Sequence, residues 1–318
     1  MTELLEASAF SFSAEIIPPR NGAEQGDVLS QIETLFESGA EFLSVTKGAG
    51  GSLRGGSLPI AQAIKERFKR PAIAHFTCRD LTPEEVENSL MDHFYFGIRN
   101  ILALRGDPPV GQPDWKPKEG SYPYAHHLIE QIRRLNEGVF LNRPRLPKSS
   151  DVAEAVGRQM QTDFCIGSAC YPEHPDPKER IQFFEQKIRA GASYGITQML
   201  FDPDVYARFL QDSLRAGIEV PVLPGVRVLR SKKMAERMRD QFKVSVPDWY
   251  IRDLPDEYSR AGDDVDSLAQ ALIPFLRLVS ELRAEGAPGI HLFVIGDARG
   301  SAYAISELKR QFNAGVAK

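Results

Sequence analysis

Glu15 sits inside an apolar, β-prone run that two prolines then end, "FSFSAEIIPPR" at 10–20. A carboxyl group buried at the end of a strand loses hydration, so its pKa rises and it can donate a proton near neutral pH. Other apolar runs also finish on polar groups. "FLSVTK" ends on Thr46 and Lys47, and "AIAHFTC" carries His75 and Thr77. "NILALRGD" ends on Arg105, Gly106 and Asp107, "FCIGSACYPEH" on Tyr171, Glu173 and His174, and "GITQMLFD" on Gln198 and Asp202. Acids, an amide, cations and an imidazole gathered at strand ends suit proton transfer and charge stabilisation. No His, Asp or Glu set has zinc or iron spacing, which argues against a metal site, and no nucleophile elbow is present.

Each feature also has a purely structural alternative. Glu15 could pair with Arg20 or Arg105, and "LRGD" could be a tight turn. His75 could be a satisfied core histidine, and Tyr171–His174 a surface turn. "KGAGGSLRGGS" matches neither a Walker nor a dinucleotide motif and reads as a flexible loop.

These residues need a scaffold that brings strand ends together. Eight candidate strands lie at 10–18, 42–47, 72–78, 100–106, 164–171, 195–201, 220–226 and 289–296, several starting about 25–31 residues apart. Helical segments alternate with them. "TPEEVENSLMDHF" opens with Thr82 as N-cap and Pro83 at the first helical position, and "DPKERIQFFEQKIRAGA" stops at Gly191. Near-continuous apolar strands alternating with helices predict a parallel sheet covered by helices. Eight repeats favour an α/β fold of the (β/α)8 TIM-barrel type over an open doubly wound sheet, in one domain spanning 1–318. Two intervals, 107–163 and 227–288, are too long for one helix and are expected to be decorations on that barrel. They include predicted helices near 124–136 and 264–285.

Composition is that of a soluble globular protein, with 42% hydrophobic and 26% charged residues in 318, enough to bury a full core. A net charge of −4 gives no reason to expect nucleic-acid binding. No apolar stretch is long enough to span a bilayer, and "MTELLEASAF" lacks the basic and apolar regions of a signal peptide. Cys78, Cys165 and Cys170 show no metal spacing; Cys78 and Cys170 fall at probable strand ends and read as structural, and the compartment expected is a reducing cytoplasm.

Taken in order, "FSAEIIPPR", "FLSVTKGAGGS", "AHFTC", "ILALRGDPP", "YPEHP" and "AGASYGITQMLFD" resemble methylenetetrahydrofolate reductases. The resemblance is strong from Phe10 to Asp202 and weaker from "LPGV" to "SAYAI". It implies a (β/α)8 barrel that binds FAD non-covalently. Hydride would pass from NADH or NADPH to the flavin and then to 5,10-methylenetetrahydrofolate, giving 5-methyltetrahydrofolate for methionine biosynthesis, or the reverse in one-carbon catabolism. By the resemblance, Glu15 is the acid that protonates the departing folate nitrogen. Asp107 tunes the flavin and stabilises the cationic intermediate, and Gln198 binds folate and nicotinamide in turn. Thr46, Ala49, His75, Arg105, Gly106, Asp107, Ala125, Tyr171, His174 and Lys187 fall at flavin-contact positions. A homo-oligomer is implied as well.

The chain departs from the family pattern in several places. Lys47 replaces an aromatic residue, "YPEHP" is one residue shorter than "YPExHP", and Arg180 and Gln186 stand where an Asp and a basic residue face FAD. Met234 and Met238 replace a folate-contacting glutamine and a phenylalanine, and the folate-carboxylate arginine is displaced, leaving Arg299 as the candidate. These changes bear on FAD affinity and folate-tail binding rather than on the pterin chemistry. Three rival readings follow: the same reaction without flavin, a folate- or flavin-binding subunit without catalysis, and a barrel lyase for sugar phosphates. The last lacks a phosphate loop after strands seven and eight.

Overall fold

The eight apolar runs form eight parallel strands, each paired with its sequence neighbours, and the last closes on the first. In a computed structural model they are β1 (Ser11–Ile16), β2 (Phe42–Val45), β3 (Ala72–Thr77), β4 (Asn100–Leu104), β5 (Cys165–Cys170), β6 (Tyr194–Met199), β7 (Val222–Val226) and β8 (Gly289–Phe293). The structure describes residues 1–19, 25–48, 55–109, 111–112, 114–141, 161–257 and 265–316. The chain is therefore an α/β protein of the (β/α)8 barrel type, as the repeat pattern predicts.

The helices are α1 (Thr2–Ala7), α2 (Gln25–Glu37), α3 (Ser57–Phe68), α4 (Pro83–Tyr95), α5 (Ala125–Asn136) and α6 (Pro177–Ala190). They continue with α7 (Pro203–Arg215), α8 (Lys232–Phe242), α9 (Asp248–Arg252), α10 (Val265–Ala284) and α11 (Ala298–Val316). Their starts are written in side chains. Thr82 and Glu85 form a reciprocal capping box on α4: the Thr82 hydroxyl accepts from Glu85 N–H at 3.3 Å, and Thr82 N–H donates to Glu85 Oε2 at 2.7 Å. Asp176 accepts from Lys178 N–H at 2.7 Å and Asp202 from Asp204 N–H at 3.0 Å, each followed by a proline at the first helical position. Caps of this kind contribute about 0.5–2 kcal/mol each.

Side chains alternate across each strand between barrel interior and helical shell. Phe42, Ile73, Leu102, Tyr194, Ile196 and Leu223 pack together inside, joined by Leu5 of α1. Outward-facing residues such as Leu43, Val45, Ala74 and Phe76 join the larger shell core with the helices. The same alternation places Ser13 and Glu15, Ser44, His75, Gln198 and His291 on the inward side. Strand register sets Glu15 opposite Ser44 on one flank and Phe293 on the other.

The interval between β4 and β5 carries α5, at the predicted position; residues 142–160 of it lie outside the described residues. Between β7 and β8 run α8, α9 and α10. The segment after α8 reaches the loop after β5, where Ser245 N–H donates to Glu173 Oε1 at 2.9 Å. Among the described residues no helix is long and apolar enough to cross a membrane.

Candidate active site

Glu15 lies near the C-terminal end of β1, at the mouth where barrel enzymes place their chemistry. No hydrogen-bond donor in the described chain satisfies its carboxylate; His75 Nε2 comes to 3.6 Å from Oε2, longer than a hydrogen bond. With nothing to stabilise the anion, burial pushes the Glu15 carboxyl up to about 8.

A polar chain runs from His75 into the barrel, and its direction can be worked out link by link. Ser13 Oγ donates to Ile290 O at 2.9 Å, so it accepts from His291 Nδ1–H at 2.8 Å. His291 Nε2 then accepts from the Ser44 hydroxyl at 3.0 Å, and Ser44 Oγ in turn accepts from His75 Nε2–H at 3.2 Å. The network thus assigns the His75 ring proton to Nε2, the nitrogen beside Glu15. Burial lowers both His75 and His291 to about 3, so both rings are neutral at physiological pH. A neutral imidazole beside Glu15 leaves the carboxyl free to keep its proton, whereas an imidazolium would pull it off.

The remaining residues singled out in the sequence fall into three groups. Around Glu15, the Thr46 hydroxyl is buried without a hydrogen-bond partner among the described residues. Lys47 Nζ sits 4.6 Å from the centre of the outward-facing Phe76 ring, and burial lowers its pKa. Lys47 therefore belongs to the shell side of β2 and β3 rather than to the barrel axis.

A second group gathers at the ends of β4 and β5. Gly106 turns the chain at φ +94°, and a Cβ there would come within 3.0 Å of Arg79 Cβ. Arg79 Nη1 donates to the Asp107 carbonyl, which holds the turn. The Tyr171 hydroxyl is within electrostatic reach of both Asp107 and Arg105. Lys187 Nζ donates to Ala169 O at 2.8 Å and lies 5.3 Å from the Tyr171 ring centre. Burial lowers its pKa. Ala125 is buried at the first turn of α5, and His126 beside it feels the Lys187 charge. Cys78 and Cys170 are pushed by burial up to about 11 and about 12, so both remain thiols.

The third group is Gln198 with its strand. Pairing of β6 with β7 runs Ile196 opposite Leu223 and then Met199 opposite Gly225, an extra residue on β6. Thr197 fills the gap by accepting from Gly225 N–H at 2.8 Å and donating to Gln198 O at 2.7 Å. The bulge re-aims Gln198, whose Oε1 accepts from Met199 N–H at 2.8 Å. Its amide Nε2 donors have no partner among the described residues.

The remaining positions make local contacts of their own. His174 faces the start of α6, with Nε2 3.8 Å from Glu179 Oε2. Arg180 Nη1 donates to Pro172 O at 2.7 Å, while its Nε is buried without a partner among the described residues. Gln186 is half-buried on α6, and Arg299 is exposed on α11. Ala49 lies outside the described residues. Sequence reasoning missed Ser13, Ser44 and His291. Their signal was available: three polar side chains at inward positions of otherwise apolar strands.

The sequence profile described as "Methylenetetrahydrofolate reductase" matches residues 1–309. The 5,10-methylenetetrahydrofolate reductase of Escherichia coli (strain K12) is 31% identical over 299 residues, covering 92% of this chain and 88% of that one. Its counterpart in Salmonella typhimurium is 30% identical with the same coverage. A protein of Arabidopsis thaliana, methylenetetrahydrofolate reductase (NADH) 1, is 27% identical over 91% of this chain, which spans 47% of that longer protein. Among solved structures, a Clostridium thermocellum protein described as binding two copies of 5-methyl-5,6,7,8-tetrahydrofolic acid superimposes with a TM-score of 0.58. It is 16% identical over 97% of this chain and 98% of that one, a likeness of fold. Family profile and relatives agree over nearly the whole length, and the chain belongs to the methylenetetrahydrofolate reductase family of oxidoreductases.

Proposed function

We propose that the chain is a flavin-dependent reductase converting 5,10-methylenetetrahydrofolate to 5-methyltetrahydrofolate, with NADH or NADPH as hydride source. The observation that carries this reading is Glu15: a carboxyl at the barrel mouth, next to a neutral imidazole, that burial raises to about 8. It holds a proton at neutral pH. Opening the five-membered ring of the folate requires a proton on the departing nitrogen, and the protonated Glu15 is built to give it. The cationic iminium left on the folate needs negative charge nearby, which Asp107 supplies from the loop after β4. Gln198, with its amide donors unpartnered, orients the folate or the nicotinamide by hydrogen bonds.

The residues present fit FAD. The orphaned Thr46 hydroxyl and Arg180 Nε await polar partners, and Arg105 and Lys187 bring positive charge to the rim of β4 and β5. Thr46, His75, Arg105, Gly106, Ala125, Tyr171, His174 and Lys187 are the residues that would hold it. When bound, the flavin supplies two-electron hydride chemistry. Buried thiols at Cys78 and Cys170 suit a reducing cytoplasm.

The test is direct. Titration of the flavin-free protein with FAD should show stoichiometric binding, and the loaded protein should reduce methylenetetrahydrofolate with NAD(P)H. Absence of FAD binding alongside retained NAD(P)H-dependent reduction would point to direct, flavin-free hydride transfer instead. Asp107→Asn removes one charge beside both ligands, so both half-reactions should slow, each by less than the loss of the acid costs. Stopped-flow traces of the two half-reactions measure this. A loss confined to one of them would restrict Asp107 to that ligand.

A further inference from the structure

On the flank of the barrel, α4 and α5 enclose a cavity of about 210 Å³, set in the helical shell rather than at the strand ends. Glu87 of α4, Glu130, Gln131 and Arg134 of α5, and Leu141 beyond α5 line it. Glu87 Oε2 accepts from Leu141 N–H at 2.8 Å, which ties the segment after α5 back to α4.

Gln131 is only 5% exposed, and its orientation is settled because Nε2 donates to Pro83 O at 2.9 Å. Its Oε1 is buried without a hydrogen-bond partner among the described residues. An acceptor left unpaired in this way costs stability until something donates to it. His127 also lines the cavity, its ring stacked on that of Tyr122 with centres 6.0 Å apart. Its Nδ1 is likewise buried without a partner among the described residues.

The same wall carries two opposite charges held apart. Glu130 and Arg134 stand four positions apart on α5, in the order that favours an ion pair along a helix. Arg133, one position away, makes such a pair with Glu137. The side chains of Glu130 and Arg134 make no hydrogen bond or ion pair among the described residues, although the Tyr122 phenol is within electrostatic reach of both. An anion and a cation that face one small cavity without pairing suit a ligand that carries both signs. Among the described residues no three metal-ligating side chains converge, so this acceptor set is not arranged for a metal ion. Val139 and Leu141 add an apolar patch.

We propose that the cavity between α4 and α5 is a binding site for a free α-amino acid with an aliphatic side chain. The ligand carboxylate pairs with Arg134, and its ammonium group donates to Glu130 and Gln131 Oε1. Its side chain lies against Val139 and Leu141. The cavity is smaller than those that take drug-sized ligands, which matches a molecule of this size. The site uses none of the strand-end residues of the candidate active site and stands independently of the folate reading.

The experiment is isothermal titration of the full chain with L-leucine, with 4-methylpentanoate, which lacks the ammonium group, and with 3-methylbutylamine, which lacks the carboxylate. L-leucine should bind once per chain, and each analogue should bind at least about tenfold more weakly, the worth of one charge-assisted hydrogen bond. Arg134→Gln should weaken L-leucine about tenfold and leave 3-methylbutylamine unchanged. Glu130→Gln should weaken L-leucine by a similar factor and leave 4-methylpentanoate unchanged. Both side chains are exposed, so the thermal midpoints of the unliganded variants should match wild type. Saturating L-leucine should raise the wild-type midpoint, because it binds the folded state alone. No binding of L-leucine at millimolar concentration overturns the proposal. An amine or a carboxylate that binds as tightly as L-leucine also overturns it, since the site would then read one charge only. Binding of L-leucine that neither variant weakens would place it elsewhere on the molecule and overturn the proposal as well.

Discussion

Replacing Glu15 with Gln is expected to slow reduction of methylenetetrahydrofolate by at least about 10²–10⁴-fold, the usual contribution of a positioned general acid. Oxidation of NAD(P)H by the bound flavin should continue at close to the wild-type rate, because the nicotinamide gives up hydride without a proton from the protein. The two half-reactions should therefore separate in stopped-flow traces. Glutamine matches the size of glutamate and can occupy the same cavity beside His75, so packing alone cannot produce the split. Equal slowing of both half-reactions would mean that Glu15 shapes the site rather than donates the proton. The acid would then have to be sought elsewhere at the mouth.

The second large effect concerns pH. The folded-state carboxyl of Glu15 titrates at about 8, against an ordinary value of 4.5, because burial penalises the anion. The native state therefore holds this proton more tightly than the unfolded chain does. Its favourable contribution is fully present below about pH 4.5 and is lost as pH rises to about 8, by up to about 1.4 kcal/mol per pH unit. Glu15→Gln cannot ionise and escapes this loss. Denaturant unfolding of the two proteins at pH 5, 7 and 9 should show the variant gaining on wild type as pH rises, with the gain levelling off above pH 8. In the same window the wild-type folate half-reaction should hold steady below about pH 8 and fall above it, as the acid loses its proton. The neighbouring imidazoles do not interfere, since both titrate at about 3. A stability difference that is the same at all three pH values would show that the carboxyl is hydrated and titrates normally.

The polar chain behind His75 explains why the acid can stay protonated. Ser13, Ser44 and His291 commit every donor and acceptor along the chain in one direction and leave the His75 N–H between Ser44 and Glu15. That N–H donates to Ser44 and lies too far from Glu15 to hydrogen-bond it, so the Glu15 anion is left unstabilised. Neighbouring strands contribute each link, which only a closed barrel can arrange.

The sequence by itself determined the repeat and therefore the fold. Apolar runs of strand length, capped helices at Thr82, Asp176 and Asp202, and eight repetitions leave few alternatives to a closed barrel, because local patterning and turn chemistry are encoded residue by residue. It also showed which strand ends carry polar side chains, since strand polarity fixes which end is the mouth. The tertiary structure decided what those residues do to one another. A carboxyl pKa depends on the groups that fail to reach it, and that Glu15 lacks a donor among the described residues is a property of neighbours far apart in the chain. The same holds for Lys47, whose cation is drawn to the Phe76 ring on the shell side of the sheet. It holds for Arg227 and Arg230 as well: identical residues three positions apart, of which one hydrogen-bonds a thioether and the other pairs with Asp297. Charge pairing across 67 residues of chain is decided by barrel closure, which brings β7 beside β8, and no local pattern records it.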